Sequence, residues 1–295
     1  MQLLHSATRN YSWGSRTLIP HLQGQPDADK PVAELWFGAH PGDPSTVDDR
    51  LLNEVIAEDP AGQLGSRVSA EYGERLPFLL KVLAAEEPLS LQAHPSKAQA
   101  EEGFARENAA GIELTASNRN YKDDNHKPEL IVALTDFYAM AGFRPLARTR
   151  ELFAALECPE LDHYVAMLDD DPSATTESAN LRVLFTTWIT IPSAKRKELI
   201  SAIVAAGERL IAADPADWKS RVMSTVLDLN QRYPGDIGVL GALLLNHIEL
   251  SPGEAVYLDA GQLHAYVSGL GVEIMANSDN VLRGGLTPKF VDVPE

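Results

Sequence analysis

The sequence predicts a mainly β fold split by a helical insertion, and three observations carry that reading. Over residues 1–142, short alternating or fully apolar runs are broken by Pro, Gly and Asp, the texture of antiparallel sheet. From about Pro145 the apolar residues recur at helical spacing, up to about Asn246. Sheet texture then returns and continues to the end of the chain. Strands from both halves are expected to meet in one β-sandwich or barrel.

Each element follows from its local sequence. VAELWFGAH, LPFLLKVL, LSLQAH and ELIVALTDFYAMAGF are rich in branched and aromatic residues and read as strands. The LIVAL run after Glu129 is apolar enough to predict a strand buried on both faces. Ser96–Ala110 reads as a helix with Ser96 as its N-cap. ARTRELFAALE, SANLRVLFTTWIT, SAKRKELISAIVAAGERLIAA and ADWKSRVMSTVLDLNQRY form the helical block, with DDDPSATTES as a polar connection. In SPGEAVYLDAGQLHAYVSGLGVEIMANSDNVL, Pro-Gly and Gly turns recur at hairpin-like spacing.

Composition narrows the function classes. The 295 residues are 44% hydrophobic and 23% charged, ordinary values for a globular protein, and long enough for about two domains. The formal net charge of −17 disfavours nucleic acid and anionic membranes as partners. An anionic ligand would need the few basic residues gathered at its site. No apolar run is long enough to span a bilayer, and the start lacks a secretory layout. Cys158 is the single cysteine, which excludes an intrachain disulfide and thiolate metal clusters. A cytoplasmic protein is expected.

Three stretches carry chemistry. In LSLQAHPSK, a strand would point Ser90, Gln92 and His94 to one face, where an imidazole and an amide oxygen two residues apart can reach one cation. The plainer alternative is a half-exposed strand. In NHKPELIVAL, Glu129 opens an apolar strand, where a carboxylate is costly unless metal-bound or paired, for instance with Lys127. In AGQLHAYVSGLGVEIMANSDNVLRGGLTPK, His264 enters a strand and Glu273 sits between Val272 and Ile274. A polar turn follows at Asn277–Asn280, and Arg283 precedes two glycines. A lone His is more often structural than a ligand, and Gly pairs usually mark only a turn.

Taken together, NYSWGS, AELWFGAHP, PFLLKVL, LSLQAHP, NHKPE and HAYVSGLGVEIMANSDNVLRGGLTPK resemble the type I mannose-6-phosphate isomerases, cupin-fold zinc enzymes. The resemblance runs from the first residues to the last and is weakest in the helical block. It implies a cupin-like jelly-roll β-sandwich, residues 1–144 and 247–295, carrying an all-helical insertion at 145–246. Members with such an insertion continue past the TPK string into a second jelly-roll of roughly 100 residues. Here the chain stops at Glu295, so that unit is expected to be absent.

The resemblance also implies a site. One Zn2+ per chain would be held by Gln92, His94, Glu129 and His264, a chemically sensible set of two imidazoles, a carboxylate and an amide oxygen. Mannose 6-phosphate and fructose 6-phosphate would interconvert through an enediol. Arg283 would stabilise the enediolate or the phosphate, Glu273 is the candidate base, and Lys127 the candidate acid or ring-opening group, with His126 as an alternative. Lys289 and Lys81 are candidate phosphate-side cations, with Ser90 and Trp13 beside the pocket, although Trp13 can equally be packing. The expected partner is a small sugar phosphate, and a monomer is expected. Two other readings compete: a non-catalytic cupin-like metal- or sugar-binding protein, and a metal enzyme acting on another sugar, such as an epimerase.

Overall fold

Two sheets that share one long strand form the centre of the molecule. The structure, a computed structural model, describes residues 2–168 and 174–292, without the side chains of 174–179. The chain begins with β1 (Leu4–His5), β2 (Ala7–Arg9), α1 (Leu18–Leu22), β3 (Glu34–Phe37), β4 (Thr46–Val47) and β5 (Arg50–Leu51). Three short helices follow, α2 (Leu52–Glu58), α3 (Pro60–Leu64) and α4 (Ser66–Tyr72). Then come β6 (Phe78–Ala85), β7 (Leu91–Ala93), α5 (Lys97–Ala109), β8 (Glu129–Ala133) and β9 (Phe137–Phe143). The helical block holds α6 (Leu146–Leu156), α7 (Pro159–Val165), α8 (Ala174–Thr190), α9 (Ser193–Ala213), α10 (Trp218–Arg232) and α11 (Ile237–Ala242). The chain returns to sheet in β10 (Leu245–Leu250), β11 (Ala255–Leu258), β12 (His264–Ala276) and β13 (Leu282–Gly285).

One sheet runs β11-β8-β12-β6-β3-β2 and the other β10-β9-β12-β7-β13, all antiparallel. The 13-residue β12 belongs to both. Its first residues pair with β9 and β7, and from Gly269 onward it pairs with β6, with β8 joining from Gly271. Gly269 makes the switch possible. Its φ of 124° is open only to glycine, and a Cβ there would lie 2.7 Å from the Asp136 carbonyl oxygen. The result is a cupin-like jelly-roll sandwich carrying a helical insertion, the predicted fold class.

The helices pack on the outside of the second sheet. Leu91, Met140, Ala265 and Leu286 from the sheet share one core with Trp188, Ile203, Met223 and Leu240 of the helices. Full burial of each such side chain contributes about 1.5–3 kcal/mol. The seam is closed by Arg144, whose guanidinium donates to the carbonyls of Leu243 and Leu245 just beyond α11.

The structure corrects several details. The strand after Glu129 is buried on one face only: Ile131 and Ala133 point inward, while Leu130 and Val132 are half-buried. Helices α1 to α4 went unpredicted because five to seven residues are too few to display a helical period. Helix α8 begins at Ala174, inside the stretch read as a polar connection, whose residues 169–173 lie outside the described residues. The Ser96 helix is as read, with a full capping box between Ser96 and Gln99. Among the described residues no helix is long and apolar enough to cross a membrane.

Candidate metal centre

Strand register assembles the site. Directly opposed residues on neighbouring strands share a face, and Gln92 on β7 lies opposite both His264 on β12 and Arg283 on β13. Three residues far apart in sequence are thereby lined up across three strands. Leu91 points the other way into the core shared with the helices, as period-2 alternation requires. His94 follows β7 directly, and Glu129 starts β8 opposite Met275.

His94, Glu129 and His264 converge, with ligand atoms all within 4.8 Å of one another, the only such group among the described residues. All three are almost completely buried. Glu129 lies between the imidazoles, with Oε1 3.3 Å from His94 Nε2 and Oε2 3.3 Å from His264 Nε2. Yet His94 Nε2, His264 Nε2 and Glu129 Oε2 have no hydrogen-bond partner. Buried polar atoms are ordinarily satisfied, so three orphans facing one another mark a place for a cation.

The tautomers agree with that reading. His94 Nδ1 lies 2.8 Å from the Asn280 carbonyl oxygen and His264 Nδ1 lies 2.9 Å from that of Gln262. A carbonyl only accepts, so in the neutral rings Nδ1 carries the hydrogen and Nε2 keeps its lone pair, the arrangement metal-binding histidines use. Burial, and then Lys127, push His94 down to about 4. Burial works to raise Glu129, but Lys127 and His94 outweigh it and hold the carboxylate well below its usual range. The Lys127 ammonium stands 3.0 Å from Glu129 Oε1. The pairing weighed from the sequence as an alternative to metal binding is thus present together with the cluster.

A second buried cluster adjoins the first. Glu273 is 2% exposed, whereas its neighbour Ile274 on β12 is 41% exposed, so this stretch carries its charge inward and an apolar side chain outward. Tyr266 donates to Glu273 Oε1 at 2.9 Å, and Lys81 Nζ lies 3.2 Å from Glu273 Oε2 and 3.3 Å from Glu34 Oε1. Trp36 Nε1–H closes the chain on Glu34 Oε2 at 2.8 Å. Burial raises the Glu273 carboxyl, with Lys81 pulling against it. For Lys81 burial works against the charge, but Glu34 and Glu273 outweigh it and raise its pKa.

The remaining predicted residues lie in several separate places. Partial burial lowers Lys289, and the nearby charges of Arg283 and Lys122 lower it further. Lys122 was not singled out from the sequence. Lys81, expected on the phosphate side, is already enclosed by two carboxylates. Ser90 is half-buried just before β7. Trp13 stacks on Tyr11 and packs against the cluster around Leu83, Ile131 and Tyr266. His126 is exposed and lines a separate cleft with Tyr72, Arg75 and Asn277. Glu34 and Tyr266 were also missed as site residues. Glu34 had a readable signal, a carboxylate on the same strand face as Trp36. A cavity of about 770 Å³ lies at the sheet–helix seam around Arg144 and Trp218 and includes none of the converging ligands.

Known proteins resemble this chain in sequence and fold. The model of the phosphomannose isomerase type I catalytic domain matches residues 1–146. Mannose-6-phosphate isomerase from Escherichia coli K12 is 41% identical over all of this chain and 73% of its own length. The human mannose-6-phosphate isomerase is 37% identical over 99% of this chain and 70% of its own. A crystal structure of mannose 6-phosphate isomerase from Salmonella typhimurium, bound to substrate (f6p) and zinc, superposes with a TM-score of 0.87 at 39% identity. That match covers the whole of this chain and 72% of the other. With that identity and coverage, and with the buried His94–Glu129–His264 cluster at its centre, the chain belongs to the type I phosphomannose isomerase family.

Proposed function

We propose that this protein is a zinc-dependent aldose–ketose isomerase that interconverts mannose 6-phosphate and fructose 6-phosphate by proton transfer through an enediol. The observation that carries this reading is the orphaned, buried His94–Glu129–His264 cluster beside a network of titratable groups. A structural metal needs no such company. His94, Glu129 and His264 would hold the ion, with Gln92 as the fourth ligand. When bound, zinc supplies a Lewis acid that polarises a sugar oxygen.

The chain's own residues supply the rest. Isomerisation moves one proton from C2 of the aldose to C1 of the ketose, and another from O2 to O1. Glu273 is the base: burial raises its carboxyl, with Lys81 pulling against it, which makes it a stronger proton acceptor than an exposed carboxylate. Glu273 itself carries the proton from C2 to C1, while Tyr266 O–H and the Lys81 ammonium, kept charged by Glu34, each contact one of its oxygens and hold the carboxylate in place. Lys81 therefore orients Glu273 rather than binding phosphate. Lys127, beside Glu129, donates to the ring oxygen when the sugar opens. Arg283, Lys289 and Lys122 form the phosphate side, the local positive charge that a chain of net charge −17 must concentrate. Ser90 and Trp13 flank the sugar.

We read the chain as one discontinuous β unit, residues 1–144 and 247–295, with the helical insertion 145–246 as its support. It acts in the cytoplasm as a monomer. The deciding experiment is a coupled assay of mannose 6-phosphate conversion with and without chelator. Turnover that disappears with the chelator and returns with Zn2+ is expected. Absence of metal-dependent turnover in the intact protein sinks the proposal.

A further inference from the structure

The turn at Asn277–Asn280, no more than a polar turn in the sequence, is among the most heavily bonded parts of the site. We propose that Asn280 is a positioning residue that mounts the ligand His94 on its backbone carbonyl and the Lys122–Lys127 loop on its side chain. The inference rests on the metal-centre reading above.

Asn280 is 0% exposed, and its side chain uses both its acceptor and its donors. Its Oδ1 accepts from the backbone N–H of Lys122 at 2.7 Å and of Asp123 at 3.2 Å. Its Nδ2 donates to the Asp123 carbonyl at 2.8 Å, to Asp123 Oδ1 at 3.2 Å and to the Asn125 carbonyl at 2.9 Å. Its own N–H donates to Ser278 Oγ at 3.2 Å, and its carbonyl is the acceptor for His94 Nδ1. Asp123 binds back, accepting from Ser278 Oγ and from the N–H groups of Asn125 and Asp279. Loop and turn are zipped together.

Two consequences follow. First, the Asn280 side chain fixes where its carbonyl sits, and that carbonyl fixes the tautomer and orientation of His94. Second, the loop held by the same amide leads within five residues to Lys127 and then to Glu129. The two histidines therefore differ. His264 Nδ1 is held by Gln262, two residues away on its own segment, and has no such link. The residue type is demanded by chemistry: an aspartate at 280 would lose the three Nδ2 donations and face Asp123 with a second carboxylate.

The test uses Asn280→Ala and Asn280→Asp in the full chain, with metal affinity measured by competition against a chelating dye. Both keep the carbonyl that holds His94 but free it to shift, and should bind Zn2+ about 10- to 100-fold more weakly, the usual cost of disturbing the partner behind a ligand. The Co2+-loaded variants should also show shifted ligand-field absorption bands. If either variant fails to fold, Ser278→Ala removes the hydroxyl bonds to Asn280, Asp123 and Asn125 but leaves the Asn280 amide in place, and should weaken Zn2+ by a smaller factor. Leu229→Ala in α10 controls for lost stability and should leave affinity and Co2+ spectrum unchanged. Wild-type affinity and an unaltered spectrum in the folded Asn280 variants overturn the inference. His94→Ala keeps the two ideas apart: if it binds metal normally, the metal-centre reading itself falls.

Discussion

The interior of the strand region and that of the helical block are built on opposite principles. In the helices the buried side chains are almost all apolar: Leu152, Trp188, Ile200, Ile203, Met223 and Leu229 form one continuous core with the sheet behind them. Between the strands, Glu34, Lys81, His94, Lys127, Glu129, His264 and Glu273 are all buried. Burying so many charges opposes folding unless each is paired or bound. The helical core stabilises the fold, whereas the charged interior opposes folding and, on the proposed function, serves the chemistry.

The difference can be broken most sharply at the ligands. His264→Ala or Glu129→Ala should abolish stoichiometric zinc and lower kcat/KM about a thousandfold or more, given the several kcal/mol a Lewis acid supplies. Metal analysis and the coupled assay check both. Glu273→Gln, in the neighbouring network, should lower kcat by about 10²- to 10⁴-fold with zinc content retained. Retained activity would move the base elsewhere. Leu229→Ala tests the other region: it should cost about 2–5 kcal/mol of stability by denaturant titration while the folded protein keeps its metal affinity. Weakened affinity there would mean that the two interiors are not separable. Lys289→Ala, on the exposed rim, should raise KM a few-fold, an effect that shrinks as salt is added.

The smallest expected effect concerns acid. Without metal, His94 titrates at about 4 when folded, against 6.5 for an ordinary histidine. Its folded value is lowered, so between these values the unfolded chain binds the extra proton. Stability from this group is full above pH 6.5 and declines as the pH falls towards 4. Denaturant midpoints of the metal-free protein should follow that slope, and His94→Asn should flatten it. An unchanged slope would take His94 out of the acid response.

Much of this was legible before any coordinates. Hydrophobic period separated strands from helices, Ser96 announced the cap of α5, and the alternation of LSLQAH put Gln92 and His94 opposite Leu91. Other features left no local trace. Lys81 reads as an ordinary strand lysine, and only its register opposite Glu273 and Trp36 places it between two acids. Asn280 reads as a turn residue, yet its partners Lys122, Asp123 and Asn125 are more than 150 residues away. Period and propensity are local, whereas register is a long-range property.

By itself, then, the sequence determined the fold class, the place of the helical insertion, the residue types proposed as ligands and the family resemblance, because these depend on residue chemistry and spacing along the chain. The tertiary structure decided that His94, Glu129 and His264 meet within 4.8 Å and that Lys127 shares Glu129 with them. It also decided that Glu273 turns inward while Ile274 faces out. Those outcomes depend on how β12 bends at Gly269 and joins two sheets, and burial then sets the charge states that the chemistry uses.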